Sequence, residues 1–308
     1  MFAFDVFLKK TSGQLRMLRL CIGLIAFVNA SPSYAIMAGG EFDLPADMPS
    51  SRLDTEGLYS FVGSLDISAG GYSYLGSAVA LSPNWVLTAG HNADFNDDGA
   101  VDSDLNIDFY LSGIGSYSVS SYTIHPDFTG FANPSIQHDL SLLYFEDELP
   151  SLLFPTLGNA LTLDATATLV GYGRSGYGDY GYTTSASLTD RRVGYNVIDE
   201  IESGLYRYDF DDPEAGDGLG NDVESIIAPG DSGGALLVDG ALVGINTFTE
   251  GYGGLFGDIG GGIDLTNEWD WIASTTGLAV PEPSSVLLFL LGASGLILRR
   301  RRRYQDGE

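Results

Sequence analysis

The chain has 308 residues, 44% of them apolar, so it is long enough to bury a sizeable hydrophobic core. Its formal net charge is −27, and residues 36–280 carry five arginines and no lysine against 37 acidic residues. Such an acidic surface argues against nucleic acid as a partner, because it repels the phosphate backbone. The abundance of glycine and tyrosine favours β structure over long helices.

Residues 1–35 have the layout of a secretory signal peptide, which runs from basic to apolar to small residues. The apolar run covers 18–28. The basic side chains are Lys9, Lys10, Arg16 and Arg19. Small residues near the end of the segment predict cleavage after Ala35, and cleavage after Ala30 is the alternative.

Apolar residues alternate with polar or small ones over 59–65 and 71–81, as they do in strands with one buried face. These runs lead into a third β-type segment that ends in Thr-Ala-Gly-His at His91. The small residues before His91 leave space around its imidazole. His91 is therefore the candidate catalytic base.

An acidic loop follows this histidine. Oxygen-bearing side chains alternate along it, at Asp94, Asn96, Asp98 and Asp102. With Gly99 at the sixth position, the spacing is typical of the first half of an EF-hand calcium loop, but the twelfth position is Leu105 where an acid is expected. The loop is therefore either a structural calcium site or a solvated acidic turn.

Three more strand-like runs follow, at 107–111, 117–124 and 139–145. The last run opens with Asp139, the candidate partner of a catalytic histidine. His138 comes directly before it, but neighbouring strand residues point to opposite faces, so His138 and Asp139 cannot readily serve one site. We therefore expect His138, and likewise His125, to be structural or exposed.

The segment 230–234 reads Gly-Asp-Ser-Gly-Gly and holds Ser232 on a tight turn. Its glycines leave the amide groups of Gly230 and Ser232 unobstructed, so both could donate to an oxyanion beside the hydroxyl. A serine hydroxyl is a weak nucleophile near neutral pH and needs a base and a group that orients the base. Ser232 is therefore predicted to act with His91 and Asp139.

A hairpin is predicted directly after the serine turn. The apolar runs 235–238 and 241–245 suit two strands. Between them stands Asp239-Gly240, a pair that indicates a two-residue β-hairpin turn. The nucleophile is therefore expected just ahead of a rigid part of a sheet.

The C-terminal residues 280–308 combine a Val-Pro-Glu-Pro-Ser segment, an apolar run over 286–298 and five arginines at 299–303. The apolar run is shorter than the about 20 residues of a stable membrane span, and the arginines predict a cytoplasmic C-terminal end. The arrangement resembles the PEP-CTERM sorting signal of Gram-negative bacteria. That resemblance implies cleavage near Pro281 by an exosortase and delivery to the cell surface or its matrix. A permanent inner-membrane anchor facing the periplasm is the alternative.

Three motifs together resemble the trypsin/chymotrypsin-type serine proteases. They are Trp-Val-Leu-Thr-Ala-Gly-His ending at His91, Asp-Leu-Ser-Leu-Leu beginning at Asp139, and Gly-Asp-Ser-Gly-Gly around Ser232. Their order along the chain is that of the family, and three ordered motifs are more specific than any one alone. The resemblance spans residues 36–275 and implies a Ser-His-Asp triad of these three residues.

The order of the motifs also excludes two other hydrolase families. The Gly-x-Ser-x-Gly pattern occurs in α/β-hydrolases, but there the histidine follows the serine, and no histidine follows His138. Subtilisin-type enzymes run Asp, His, Ser, and no carboxylate before His91 has a supporting motif.

The resemblance implies an all-β fold of two six-stranded antiparallel β-barrels with a short C-terminal helix. The protease domain is expected to cover residues 36–279. Its first barrel is expected at about 36–150, its second at about 156–265, and the helix at about 266–275.

Some connecting segments also receive an interpretation. The Leu- and Pro-rich stretch 149–158 is expected to cross from one barrel to the other. The resemblance makes the Gly- and Tyr-rich residues 171–182 a surface loop beside the site, and the acidic residues 209–224 are expected to form another solvated loop. In the helix, Trp269 and Ile272 are spaced to pack on one face.

Two further roles follow from the resemblance alone. The α-ammonium of the mature family members pairs with the Asp before the serine, which implies pairing of Ile36 with Asp231 after cleavage at Ala35. The resemblance also implies that Ile226 forms the floor of the primary specificity pocket, with walls near Thr249 and Gly262. Because an isoleucine cannot pair with Lys or Arg, we expect a small or medium apolar residue before the scissile bond.

One departure concerns disulfide bonds. Secreted animal members of the family have a bridge that follows the histidine, where this chain has Asn92. The only cysteine, Cys21, lies in the predicted signal peptide. The mature protein is therefore predicted to contain no disulfide, so other contacts must hold its loops.

The sequence thus predicts a secreted or surface serine endopeptidase that acts through an acyl-enzyme and needs no cofactor for catalysis, with calcium as a structural possibility. The expected partners are protein or peptide substrates, signal peptidase and exosortase during export, and a transient membrane contact. The alternative is a catalytically silent protease-like module that binds at the cell surface or in the matrix.

Overall fold

The structure, a computed structural model, describes residues 36–38, 52–131, 136–150, 154–213, 218–219, 224–251 and 253–281. The predicted signal peptide and the apolar run 286–298 lie outside the described residues. Within the described ranges, no helix is both long and apolar enough to cross a membrane.

Strands dominate the described part of the chain, which confirms the predicted all-β class with one short C-terminal helix. The strands are β1 (Met37–Ala38), β2 (Val62–Ala69), β3 (Tyr72–Ala80), β4 (Trp85–Thr88), β5 (Asn106–Leu111), β6 (Gly115–Ser118), β7 (Ser121–Ile124), β8 (Ser141–Tyr144), β9 (Thr156–Leu157), β10 (Thr166–Gly171), β11 (Ser175–Tyr177), β12 (Gly181–Thr184), β13 (Arg192–Val197), β14 (Glu200–Glu202), β15 (Leu205–Asp209), β16 (Ser225–Ile226), β17 (Ala235–Val238), β18 (Ala241–Glu250) and β19 (Ile259–Asp264). Short 3-10 helices cover Gly90–Asn92 and Leu265–Asn267, and helix α1 spans Trp269–Thr276.

The first sheet contains β2 to β8 in the order β6-β5-β2-β3-β4-β8-β7. Its two edge strands are consecutive halves of one bent segment, since β6 pairs with β5 and β7 pairs with β8. At the bend, Val119 N–H donates to Ile107 O and Ser120 N–H donates to Tyr144 O. The bent segment thus joins both edges of the curled sheet, and counting it as one strand gives the six that the sequence predicts.

The second sheet repeats this arrangement, with the order β13-β10-β17-β18-β19-β15-β14 and β9 beside β18. β13 and β14 are again halves of one bent segment, and they pair with β10 and β15 respectively. Ile198 N–H donates to Ala165 O and Asp199 N–H to Arg207 O at the bend. Apart from the two-residue β9, which pairs in parallel, this sheet also has the predicted six antiparallel strands.

Alternation of apolar side chains explains the burial inside each curled sheet. Along β5, Ile107, Phe109 and Leu111 are buried, and the residues between them are more exposed. These three side chains pack with Leu65 and Ile67 of β2 in one cluster. The predicted strand at 107–111 is therefore confirmed.

The hairpin after the candidate nucleophile is also confirmed. β17 and β18 pair in antiparallel fashion, with Val238 opposite Ala241. The two turn residues between them have positive φ angles, 51° at Asp239 and 76° at Gly240. A two-residue turn with positive φ at both positions matches the twist of the flanking strands.

The prediction that 171–182 form a surface loop is wrong. β11 and β12 belong to a small sheet with the order β12-β11-β1-β16, and every residue from Gly171 to Gly178 except Arg174 is buried. The glycines explain the burial, because a Cβ on Gly171 or Gly173 would lie 2.2 or 2.6 Å from atoms of Asp231. Only glycine lets this backbone come so close to Asp231.

The acidic segment 209–224 is likewise not fully solvated where the structure describes it. Phe210 and Glu224 are buried. Glu224 accepts hydrogen bonds from the backbone N–H groups of Asp211 and Leu219. The buried carboxylate thereby satisfies amide groups of its own loop.

Helix α1 packs as its sequence predicts. Trp269 and Ile272 are both buried, and Trp269 Nε1–H donates to Gly158 O over 2.8 Å. Gly277, with a φ of 72°, ends the helix in the left-handed conformation common at helix C-termini.

Candidate active site

The structure brings His91 and Asp139 into direct contact. His91 lies on the 3-10 helix after β4 and Asp139 lies just before β8, and these two strands are neighbours with Thr88 opposite Ser141. His91 N–H donates to Asp139 Oδ1 over 2.8 Å, and His91 Nδ1–H donates to Asp139 Oδ2 over 2.7 Å. A Cβ on Gly90 would lie 3.0 Å from Asp139 Oδ1, which is why a small residue precedes His91.

The pair holds His91 in the state that a general base requires. Asp139 is fully buried, whereas 20% of the His91 side chain is exposed. An ionised carboxylate only accepts hydrogen bonds, so Nδ1 carries the proton and Nε2 is left free to accept one. Burial by itself lowers the pKa of His91, but the charge and the hydrogen bond of Asp139, together with the charges of Asp97 and Asp94, outweigh burial and raise the pKa above 6.5.

Ser232 is tied to the histidine segment through its carbonyl. Ser77 N–H donates to Ser232 O over 2.8 Å, and Asn92 Nδ2 donates to the same oxygen over 3.0 Å. Among the described residues, the Ser232 hydroxyl has no hydrogen-bond partner, His91 included. Such contacts often tighten only when substrate is bound. The side chain is half-buried and therefore open to solvent.

The turn that carries Ser232 leaves two amide groups unpaired. The N–H groups of Asp231, Gly233 and Gly234 donate to Ala228 O, Asn246 O and Asp231 O respectively. In the described part of the chain, no acceptor faces the N–H of Gly230 or that of Ser232. These are the two groups that the sequence predicts as the oxyanion donors.

Asp231 is buried beneath this turn. Its carboxylate accepts hydrogen bonds from the backbone N–H groups of Gly173 and Ala228. Burial raises its pKa to about 6, against the opposing effects of these two hydrogen bonds and of the charge of Arg192. Sequence reasoning missed Arg192, which is almost completely buried and donates to Gly173 O.

Ile36 is buried in the same region. Strand β1, which begins one residue later, lies between β11 and β16, and Ser175 Oγ donates to Ile36 O over 2.9 Å. The φ angle of Ile36 is +85°, a strained value for a β-branched residue. This angle is defined by the peptide bond to residue 35, so cleavage there removes the strain.

His125 and His138 are structural, as predicted, and share a partner that the sequence did not indicate. His138 Nδ1 lies 2.9 Å from Glu268 Oε1, and His125 Nε2 lies 3.2 Å from Glu268 Oε2. The three side chains are close enough to share a metal ion. However, His125 Nδ1 accepts the N–H of Asp127, so the proton of a neutral His125 is on Nε2 and points at Glu268. The cluster is therefore hydrogen-bonded rather than open to a metal.

The three expected pocket residues, Ile226, Thr249 and Gly262, lie on three different strands, β16, β18 and β19. Ile226 is fully buried on β16 opposite Met37 of β1. Thr249 pairs with Gly260, while Gly262 pairs with Asn246. The register shifts by one residue between Asn246 and Phe248, so that Phe248 rather than Thr247 lies opposite Gly261.

A Cβ on Gly262 would lie 2.5 Å from Tyr206 Oη, so this glycine allows an aromatic side chain to cross it inside the sheet. Gly260 and Gly261 are crossed in the same way by the rings of Tyr208 and Phe248. The three consecutive glycines thus serve packing.

In the acidic loop after His91, the oxygen atoms bind backbone amides. Asp94 accepts from the N–H groups of Asp98 and Gly99, Asn96 accepts from Asp98, and Asp102 accepts from Phe95. Burial and the neighbouring charges of Asp98 and Asp102 raise the pKa of Asp94, against the opposing hydrogen bonds. Among the described residues, the side chains close enough to share a metal ion do not include this loop. Calcium binding here stays a prediction.

Two family models match the chain. The model described as Trypsin matches residues 52–272, and the model described as the PEP-CTERM protein-sorting motif matches residues 279–303. No curated protein matches the chain. The two matched segments correspond to the two resemblances found in the sequence.

The fold is similar to that of solved structures of trypsin-like serine proteases. Neuropsin, a serine protease expressed in the limbic system of mouse brain, is 16% identical, with a TM-score of 0.55 over 73% of this chain and 98% of its own. HL collagenase is 18% identical, with a TM-score of 0.56 over 72% of this chain and 96% of its own. At this identity the likeness establishes the chymotrypsin-like fold.

Proposed function

The chain belongs to the trypsin family, and on that premise we propose that it is a secreted or surface serine endopeptidase in which Ser232, His91 and Asp139 form the triad. The observation that carries the proposal is the doubly hydrogen-bonded pair of His91 and Asp139, whose segment Asn92 links to the serine turn. In that turn the amides of Gly230 and Ser232 have no acceptor among the described residues. A module that only binds has no need of this combination.

In the proposed reaction, Ser232 Oγ attacks the carbonyl carbon of a peptide bond while His91 Nε2 takes the hydroxyl proton. Asp139 holds the imidazole in the Nδ1–H tautomer and offsets the positive charge that forms. The amides of Gly230 and Ser232 donate to the oxyanion, and each such donor contributes roughly 3 kcal/mol to catalysis. His91 then protonates the leaving amine, and water releases the acyl group from Ser232.

The substrate preference follows from the chemistry at Ile226. In the family's pocket floor this position decides which side chain precedes the scissile bond. Ile226 is apolar and surrounded by Ile36, Met37 and other buried apolar side chains. A buried Lys or Arg without a carboxylate partner is costly, so we propose cleavage after small or medium apolar residues.

The alternative of a silent binding module is separated from the enzyme by an active-site label. A fluorophosphonate reacts with an activated serine, so we expect wild type to be labelled at Ser232. The Ser232→Ala variant should remain unlabelled. Absence of labelling in both folded proteins would support the module and remove the protease proposal.

Export is proposed to process both ends of the chain. Residues 1–35 would be removed by signal peptidase, and the sorting motif at 279–303 implies processing by an exosortase in a Gram-negative bacterium. The body would then reside at the cell surface or in the extracellular matrix. Retention of an inner-membrane anchor is the alternative, and the mass of the exported protein distinguishes the two.

Cleavage after Ala35 is proposed to complete the active site. The new α-ammonium of Ile36 would pair with Asp231 and stabilise the turn that carries Ser232. The burial of both residues and the strained φ of Ile36 in the uncleaved chain support this. N-terminal sequencing of the exported protein should therefore begin at Ile36.

This pairing predicts how stability depends on pH. In the uncleaved chain the pKa of Asp231 is raised from 3.8 to about 6, so the folded state holds the proton more tightly than the unfolded state. Stability therefore falls as the pH rises from about 4 to about 6, by about 3 kcal/mol. When Ile36 is a free N-terminus, its α-ammonium lowers the pKa of Asp231, and the loss of stability between these pH values disappears. Urea unfolding between pH 4 and pH 7 compares the two forms.

The matched control carries Asp231→Asn in both forms, since it removes the titrating group and should abolish the difference. If the cleaved and uncleaved proteins lose the same stability over this pH range, the pairing of Ile36 with Asp231 is wrong.

A further inference from the structure

The side chain of Asn92 occupies the space between the histidine segment and the serine turn. It is almost completely buried. Its Nδ2 donates to Thr88 Oγ1 over 2.9 Å and to Ser232 O over 3.0 Å. Because Nδ2 has two hydrogens, both are used, and one amide group therefore connects β4, the His91 segment and the carbonyl of Ser232.

The orientation of this amide follows from its partners. Ser232 O can only accept a hydrogen bond, so Nδ2 must face it. The Thr88 hydroxyl donates its own proton to Ser77 O over 2.8 Å, so it is left to accept from Asn92. Both hydrogens of Asn92 Nδ2 and the hydroxyl proton of Thr88 thus have acceptors, and these hydrogen bonds fix the arrangement.

Gly76 of β3 provides the room for Asn92. A Cβ on Gly76 would lie 2.8 Å from Nδ2 and 3.1 Å from Cγ of Asn92. Any larger residue at position 76 would therefore displace the amide from its two acceptors. The two residues face each other directly across the space between β3 and the His91 segment.

Ser77 extends the same network to the oxyanion turn. Its Oγ donates to Gly230 O over 2.8 Å and accepts the N–H of Tyr172 over 3.0 Å. Its own N–H donates to Ser232 O. The Ser232 N–H belongs to the peptide group between Asp231 and Ser232. Gly230 O and Ser232 O belong to the peptide groups directly before and after this one, so the network fixes the Ser232 N–H from both sides.

We propose that Asn92 is a positioning residue of the active site, which sets the Ser232 turn against His91 through hydrogen bonds in a mature chain without cysteine. The inference rests on the proposed function, because a positioning role for Asn92 requires that Ser232 and His91 act together in catalysis. A shift of about 1 Å between reacting groups can lower a rate about 100-fold, so this coupling acts on kcat.

The test compares Asn92→Leu with Asn84→Leu. Asn84 directly precedes β4, whereas Asn92 follows it. The Nδ2 of Asn84 donates to Phe145 O over 2.8 Å, at the end of the β4–β8 pair that lies away from His91. Both variants lose an amide that donates to a backbone carbonyl distant in the chain. We expect Asn92→Leu to lower kcat about 10- to 100-fold with KM within about threefold of wild type. Asn84→Leu should keep kcat.

A second variant protects the test against simple misfolding. A disulfide needs Cβ atoms about 3.5–4.5 Å apart, and the contact of Gly76 with Asn92 is compatible with this. We expect the oxidised Gly76→Cys/Asn92→Cys double variant to stay folded and yet to keep the lowered kcat of Asn92→Leu, because the disulfide supplies no donor to Ser232 O. A wild-type kcat in the oxidised double variant would overturn the role of the Asn92 amide.

Amide hydrogen exchange provides a readout that does not depend on catalysis. Residues 230–234 should exchange at least about tenfold faster in Asn92→Leu than in wild type, and Asn84→Leu should leave their exchange unchanged. An inactive wild type would overturn the proposed function but not this exchange result. Equal exchange at 230–234, or an equal kcat, in wild type and Asn92→Leu would overturn the role of Asn92.

Discussion

We expect Asp139→Asn to lower kcat about 10,000-fold while the protein stays folded. The asparagine can still accept the N–H of His91 through its oxygen, so the local backbone contact is retained. Its NH₂ group, however, can donate to Nδ1 and favour the tautomer with the proton on Nε2. An imidazole in that form cannot take the proton of Ser232.

The same substitution should shift the pH profile. Asp139 raises the pKa of His91, whereas burial lowers it, so removing the carboxylate lets the pKa fall. Activity requires neutral His91, and the acid limb of kcat/KM in the variant should therefore lie at lower pH than in wild type. Steady-state kinetics from pH 5 to pH 9 measure both effects.

Asp97→Asn is the matched control, because the charge of Asp97 also raises the pKa of His91 without touching it. Its Oδ1 accepts the N–H of Phe131, which an asparagine oxygen can also do, and asparagine tolerates the positive φ of this position. The control should keep kcat and shift the acid limb only slightly. An Asp139→Asn protein as active as this control would contradict the role of Asp139.

We expect Gly233→Ala to destabilise the fold by about 4 kcal/mol or more. Gly233 has a φ of +88°, and an added Cβ would lie 2.0 Å from Ser77 O and 2.1 Å from Thr88 Oγ1. Neither neighbour can move freely, since Ser77 O is part of the backbone and accepts the Thr88 hydroxyl. The substitution thus forces β3 and β4 away from the serine turn.

Gly240→Ala separates the clash from the backbone strain. Gly240 also has a positive φ, +76°, but a Cβ there would meet no atom within 4 Å. We expect this variant to lose only about 1 kcal/mol, the strain of a non-glycine residue in this conformation. Urea unfolding of both variants gives the comparison. Equal losses would show that the tight contact around Gly233 is not what stabilises the turn.

Much of the fold was predictable because its signals are local. Alternation of apolar residues gave the strand at 107–111, and the Asp239-Gly240 pair gave the hairpin, since both depend on near neighbours in the chain. The contact of His91 with Asp139 was predictable for a different reason, because each stands in a recognisable motif at the end of a strand.

The missed features depend on contacts between distant segments. The Gly- and Tyr-rich stretch 171–182 looked exposed, and only the buried carboxylate of Asp231 shows why its glycines are needed. The bulge between Asn246 and Phe248 shifts the register of the strand pair by one residue, and no local sequence pattern predicts this shift. Asn92 and Glu268 are polar residues without a motif, and their roles appear only when their hydrogen-bond partners are known.

The central claim is that Ser232 attacks peptide bonds with the help of His91 and Asp139. The most direct test measures initial rates of hydrolysis of an unbiased peptide library by the purified protein that begins at Ile36. We predict turnover by wild type, with apolar residues preferred before the cleaved bond, and a loss of at least about 10,000-fold in Ser232→Ala. Equal rates in the two proteins, or no turnover by a folded wild type, would contradict the account.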